Sequence, residues 1–228
     1  MMRMIQMNKM QYRQAFTMLE LVMVIVVLGI LAALAIPRLD RDVRQEAGEN
    51  ILSAIRYTQQ LALMDNKARL DPSTTKSWQK SFWMLRFVNN GGDWQYIIAS
   101  NTDYGANLDK TEAAIDPANG KYFYASGSTP TSNESPSCFI SKKYGINAVD
   151  FTGCTVLTGS TGTSNAQHIA FDYLGRPQKG VFGATNTLST LMHADCTIRF
   201  QFEDGSDDLN ITILKDTGYA FIVGQNNS

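Results

Sequence analysis

The chain has 228 residues, with 20 Lys+Arg against 21 Asp+Glu and 44% apolar residues, a length suited to one domain with an appendage or to two small domains. The near-neutral balance argues against a basic nucleic-acid binder and against an acidic disordered chain, and the apolar share is enough for a packed core. Those averages conceal a segregation along the chain. Residues 1–15 hold Arg3, Lys9 and Arg13 and no acid, and residues 21–36 hold no charge. Without residues 1–15 the balance is 17 basic against 21 acidic.

From Phe16 to Ile36 run 21 residues with one ionisable group, Glu20. As a helix this stretch is about 32 Å long, close to the hydrocarbon thickness of a bilayer. It lacks the polar face that a buried core helix of that length would show. The bases ahead of it place the N-terminus on the cytoplasmic side, so the remainder is exported. An ordinary secretory signal is the competing reading, because Ala33-Leu34-Ala35 offers an A-x-A cleavage pattern. Against it, the apolar run exceeds the usual h-region, carries a carboxylate near its start, and is followed at once by Pro37.

Glu20 discriminates between the two. An acid in an apolar helix costs a few kcal/mol and normally has a partner or a function. A cut between Ala15 and Phe16 would free the Phe16 α-amino group one helical turn from Glu20. A staggered copy could then pair its amine with Glu20, neutralising both charges and fixing the register of packed helices.

The segment Arg13-Gln-Ala-Phe16-Thr-Met-Leu-Glu20, followed by the apolar run, resembles the prepilin signal of type IV pilins and type II secretion pseudopilins. The resemblance implies cleavage before Phe16 by prepilin peptidase, N-methylation of Phe16, and assembly through the N-terminal helix, in which Gly29 and Pro37 also match the family's pattern. The residue before the cut is usually Gly in the family and is Ala15 here. Alanine is the smallest replacement, so processing is expected to be retained. Met1, Met2, Met4, Met7 and Met10 each offer a start, and Arg13 follows them all.

Beyond Ile36, Leu39, Val43, Ala47, Ile51, Ile55, Thr58 and Ala62 recur every three or four residues with charges between them. This predicts an amphipathic helix to about Asn66, stopped by Leu70-Asp71-Pro72 and packed on a sheet. Pro37 is read as a tolerated kink between the two halves.

After residue 72 the composition changes, and 15 of the 17 glycines lie beyond position 90. Ser81–Val88 and Trp94–Ala99 read as strands joined by Asn89-Asn-Gly-Gly-Asp93. Lys121–Ala125 and His168–Asp172 read as further short strands. Cys196–Phe202 and Leu209–Leu214 form a second predicted hairpin, and Lys215–Val223 closes the sheet. Residues 126–167, rich in Ser, Thr, Gly and Asn, read as a disordered insert or a long surface loop.

The expected fold is therefore α+β, a long N-terminal helix on an antiparallel β-sheet head, and pilin-like by the resemblance. The expected divisions are a leader (1–15), a transmembrane and assembly helix (16–37), an amphipathic helix and linker (38–72), and a periplasmic head (73–228) with the 126–167 insert. His168-Ile-Ala-Phe-Asp172-Tyr-Leu-Gly175-Arg-Pro177, the late hairpin and Thr217-Gly-Tyr219 also look like the head of an H-type minor pseudopilin or related minor pilins.

Three cysteines allow three pairings. In an oxidising compartment Cys138–Cys154 is the favoured disulfide, with Cys196 bonded to one of them as the competing outcome. His168 and His193 have no metal-ligand spacing, and no nucleophile, zinc or phosphate-loop motif occurs. His168 reads as a strand-end or surface histidine. Asp204, Asp207 and Asp208 could offer oxygen ligands to Ca²⁺, though acids at a hairpin tip are usually just solvated. No cofactor is expected.

The leading functional expectation is a structural minor pilin-like subunit of a type II secretion pseudopilus or a type IV pilus. It would sit single-pass in a bacterial inner membrane, with its head in the periplasm, before entering a periplasmic or surface filament. By the resemblance its partners are prepilin peptidase, other pilin or pseudopilin subunits and the inner-membrane assembly platform. A tip subunit of the K type lacks the acid at Glu20, which disfavours that position. The alternative is a minor pilin acting as a binding module for DNA uptake or adhesion. That would need a basic stripe, for which Arg176, Lys179, Arg199 and Lys215 are scattered candidates. A secreted enzyme cut near Ala35 is the third reading.

Overall fold

A computed structural model describes residues 17–67, 78–105, 107–154, 167–183 and 190–225, with the backbone alone over 33–42. The chain divides into two units, Met1–Asp42 and Val43–Ser228. Helix α1 (Met18–Met64) contributes to both, and its helical backbone continues through Pro37.

In the first unit every large apolar side chain described, from Met18 to Leu31, is 50–85% exposed. Among the described residues no helix is long and apolar enough to cross a membrane. Of the segment expected to do so, Phe16 and the side chains of residues 33–37 lie outside the described residues.

In the second unit α1 has the predicted stripe. Ala47, Ile51, Ile55, Thr58 and Ala62 are buried, joined by Leu52 and Ala54. Val43, placed on the same stripe, is 40% exposed. Gly48 lies where a Cβ would meet the ends of Leu209 and Ile222, so the missing side chain lets the sheet approach the helix. Polar groups along the helix bind main-chain oxygens of the head. Arg56 Nη2 donates to the Ala220 carbonyl at 3.0 Å, and Gln59 Nε2 donates to those of Gly175 and Thr217 at 2.9 and 2.8 Å.

Among the described residues the head contains two antiparallel sheets where a single one is expected from the sequence. The first is built from β1 (Trp83–Asn90), β2 (Asp93–Ser100), β4 (His168–Phe171) and β5 (Pro177–Gln178), in the order β2-β1-β4-β5. The predicted β1–β2 hairpin is present. Asn90 pairs with Asp93 across Gly91 and Gly92, both at positive φ, as a tight primed turn requires. Both faces of this sheet are covered. Leu85, Phe87, Tyr96, Ile98, Ile169 and Phe171 join the core shared with α1, while Met84, Ile97, Ala99 and Ala170 pack with Trp78, Phe82, Leu108 and Val181.

The second sheet holds β3 (Ile146–Asp150), β6 (Cys196–Phe202), β7 (Leu209–Ile213) and β8 (Ala220–Ile222), in the order β3-β6-β7-β8. Burial alternates strictly in β7, the sign of one packed face. The closing strand is shorter than expected, because residues 215–217 form a turn before it. Residues 121–125 make only single bridges from Tyr122 to Ile115 and Glu134.

The 126–167 insert also needs correction. Its described part carries a 3-10 turn (Pro136–Cys138), helix α2 (Ile140–Tyr144) and β3, which pairs with β6. Much of its order comes from buried polar groups. Glu134 is fully buried, bonded to Lys110 Nζ at 2.8 Å and to the N–H groups of Ser126 and Thr131. Residues 155–166 lie outside the described residues.

Candidate functional site

At the start of α1, Thr17 stands outside the helix and its hydroxyl oxygen accepts the Glu20 N–H at 3.3 Å. Glu20 Oε2 accepts the Thr17 N–H at 2.9 Å and the Thr17 hydroxyl at 3.0 Å. The two residues satisfy each other's backbone donors as a capping box does. Glu20 thus has a partner in its own chain as well as the external one expected from the sequence, and the Thr-x-x-Glu spacing is the signal for this local bond. Glu20 remains exposed. A Cβ at Gly29 would meet nothing within 4 Å, so this face of the helix stays open to a neighbour. Ala15 and Phe16 lie outside the described residues, as does the side chain of Pro37.

The disulfide joins Cys154 to Cys196, and Cys138 is a buried free thiol. This overturns the favoured Cys138–Cys154 pairing and selects the competing one. The reason is topological. Asp150 pairs with Arg199, so the turn after β3 brings Cys154 beside Cys196, the first residue of β6. Cys138 instead precedes α2 and is fully enclosed in the core, where burial pushes its thiol well above the ordinary range.

The acids of the 203–208 turn do not gather. Asp208 Oδ2 bonds Arg199, Asp204 Oδ1 accepts the Ser206 N–H at 2.9 Å, and Asp207 is exposed. Among the described residues no three His, Cys, Asp or Glu side chains are placed to hold a metal ion.

His168 begins β4, as expected, but is buried rather than on the surface. Its Nε2 accepts the N–H groups of Gly180 and Val181, both at 3.1 Å, so the ring is neutral with its proton on Nδ1. Burial, helped by the charges of Arg86 and Lys179, lowers its pKa to about 3. The role is structural, fixing the segment after β5. His193 is exposed.

The scattered bases do not assemble into a stripe. Arg176 is paired with the buried Asp172 at 2.8 Å, and Arg199 is tied to Asp208. Lys179 is buried, with Nζ donating to the Cys154 carbonyl at 3.1 Å. Lys215 is half-buried.

Residues 10–36 match the prokaryotic N-terminal methylation motif, the prepilin-type signal of type IV pilins and pseudopilins. The match contains the whole of the candidate segment from Arg13 to Ile36. No curated protein and no solved structure matches the chain. The helix packed on antiparallel sheets is consistent with a pilin-like α+β fold. The signal implies processing by prepilin peptidase and assembly with other pilins.

Proposed function

We propose that this protein is a structural minor pilin-like subunit, a pseudopilin of a type II secretion pseudopilus or a minor subunit of a type IV pilus. The observation that carries this reading is the methylation motif over residues 10–36. It coincides with a helical stretch whose apolar side chains from Met18 to Leu31 are exposed among the described residues. Such a surface calls for a lipid or protein environment.

In this account the chain enters the bacterial inner membrane once, N-terminus inside and head in the periplasm. Prepilin peptidase cuts between Ala15 and Phe16, and the new amine is methylated. Glu20 then exchanges its bond to its own Thr17 for the terminal amine of a neighbouring subunit, which sets the axial register. Gly29 permits close approach of neighbouring helices. The subunit's work is packing rather than catalysis, and the energy for assembly is supplied by another protein.

The test is incorporation. Filaments sheared from cells of the native host should contain this chain together with the other pilin subunits. Recovery of the chain only as a soluble periplasmic protein, with none in the membrane or filament fractions, would contradict the proposal.

A further inference from the structure

The head carries a cavity of about 490 Å³ beside α1, within the range of roughly 300–1,000 Å³ usual for small-ligand sites. Asn50, Ser53 and Tyr57 line it from one stripe of the helix, Tyr96 reaches it from β2, and Phe123 and Asp116 close the other side. None of these residues serves the N-terminal segment, so the inference stands independently of filament assembly.

The two phenols of the lining have their protons engaged. The Tyr57 hydroxyl donates to the Ile115 carbonyl at 3.0 Å, and the Tyr96 hydroxyl donates to Asn50 Oδ1 at 3.3 Å. Each phenol has one proton, so what remains for a ligand is lone pairs. Asp116 is only 3% exposed. Its oxygens accept from the Ala118 N–H at 2.8 Å, from Asn119 Nδ2 at 2.9 Å and from the Ser135 hydroxyl, all neutral donors. Among the described residues no Lys, Arg or His forms an ion pair with it. A buried carboxylate balanced by dipoles alone leaves a negative field. Burial, and after it the charge of Asp116, raises the Tyr57 hydroxyl; burial likewise raises Tyr96, with Asp116 among the lesser causes. Both phenols therefore stay neutral.

The aromatic rings add to this field. Tyr57 and Phe123 lie with centroids 5.7 Å apart, and Tyr96 and Phe123 lie 6.2 Å apart, both pairs tilted, so three contiguous rings line the cavity. Ring faces attract cations. We infer that this cavity binds an organic cation, an alkylammonium or guanidinium head group seated against the Tyr57 and Phe123 rings and held by the charge of Asp116. The head group arrives either on a free small molecule or on a Lys or Arg side chain of another protein.

The test uses the full chain in detergent micelles, labelled with fluorotyrosine and followed by fluorine NMR. Choline and methylguanidinium should shift the Tyr57 and Tyr96 resonances saturably, while dimethylbutanol, the uncharged isostere of choline, should not. Asp116→Asn should weaken binding by about tenfold, as should Tyr57→Leu read at Tyr96. Tyr57 is partly exposed, so its variant carries the test if loss of the Asp116 turn impairs folding. Tighter binding of the acetylated amides of lysine or arginine than of choline would mark a side-chain source, and the reverse order a free ligand. Equal binding of the isostere, no shift with either cation, or undiminished binding by Tyr57→Leu would overturn the inference.

Discussion

Thr17 and Glu20 bond each other in both directions, the Glu20 carboxylate taking the Thr17 N–H at 2.9 Å and the Thr17 hydroxyl oxygen taking the Glu20 N–H at 3.3 Å. The helix that is proposed to assemble thus begins with its acid already satisfied in cis. A subunit in this state has a way to wait, because the carboxylate, though still charged, holds local donors rather than standing bare. Exchange of that bond for a neighbour's amine is then a swap between partners.

Two substitutions separate capping from charge. Glu20→Gln keeps an acceptor for the Thr17 N–H but removes the charge, whereas Glu20→Ala removes both at a cost to the helix start of about 1 kcal/mol. Both variants should still be cut before Phe16, and both should be depleted from sheared filaments. If Glu20→Gln assembles as well as the parent, charge pairing is not what sets the register.

The disulfide assignment is open to direct chemistry. Peptide mapping without reductant should recover Cys154 linked to Cys196, with Cys138 alkylated only after denaturation. Replacing Cys154 and Cys196 together by Ser opens a loop with a sequence separation of 42 residues, which should cost about 4 kcal/mol of head stability. A peptide joining Cys138 to either of the others would refute the pairing.

His168 gives the head a pH dependence with a defined sign. Its folded pKa of about 3 lies below the ordinary value of 6.5. Above pH about 6.5 neither state binds the proton and the full contribution is present. As pH falls, the unfolded chain takes up the proton first, so stability declines by up to about 1.4 kcal/mol per pH unit until the folded ring titrates. His168→Gln retains an acceptor for Gly180 and Val181 and should flatten the slope between about pH 6.5 and 5. Denaturant titrations across that window measure it, and equal slopes would contradict the buried neutral ring.

Gly120 and Gly218 share a left-handed backbone, at φ of 71° and 68°, but differ in surroundings. A Cβ at Gly120 meets nothing within 4 Å, while one at Gly218 would collide with the Gly175 carbonyl oxygen. Gly120→Ala should therefore cost about 1 kcal/mol for strain alone. Gly218→Ala should cost roughly 2–3 kcal/mol more and break the Gln59 bonds to the two turns. Parallel thermal unfolding of the two variants decides this.

The parts legible in the sequence were those with local signals. The Asn89–Asp93 turn, the alternation in β6 and β7, and the stripe from Ala47 to Ala62 each follow from residues near in the chain. Strand partnership is not local, so nothing in the short runs showed that β4 joins β1 while β3 joins β6, and two sheets were read as one. Within the 126–167 insert, the order of the described part is not legible because it rests on Glu134, Ser135 and Asp116, polar residues that look like loop until their partners are placed. The cysteine pairing failed for the same reason, since it depends on the β3–β6 register. In the N-terminal segment the chemistry is legible because one acid stands in an otherwise uncharged run, and its bond to Thr17 follows from the Thr-x-x-Glu spacing.

The most direct test of the account is the N-terminus of the mature protein, read by mass spectrometry of the membrane fraction. A chain beginning at N-methylated Phe16 is the predicted result. A chain beginning at Ile36, or one retaining its leader uncut, would contradict it and remove the basis for assembly through Glu20.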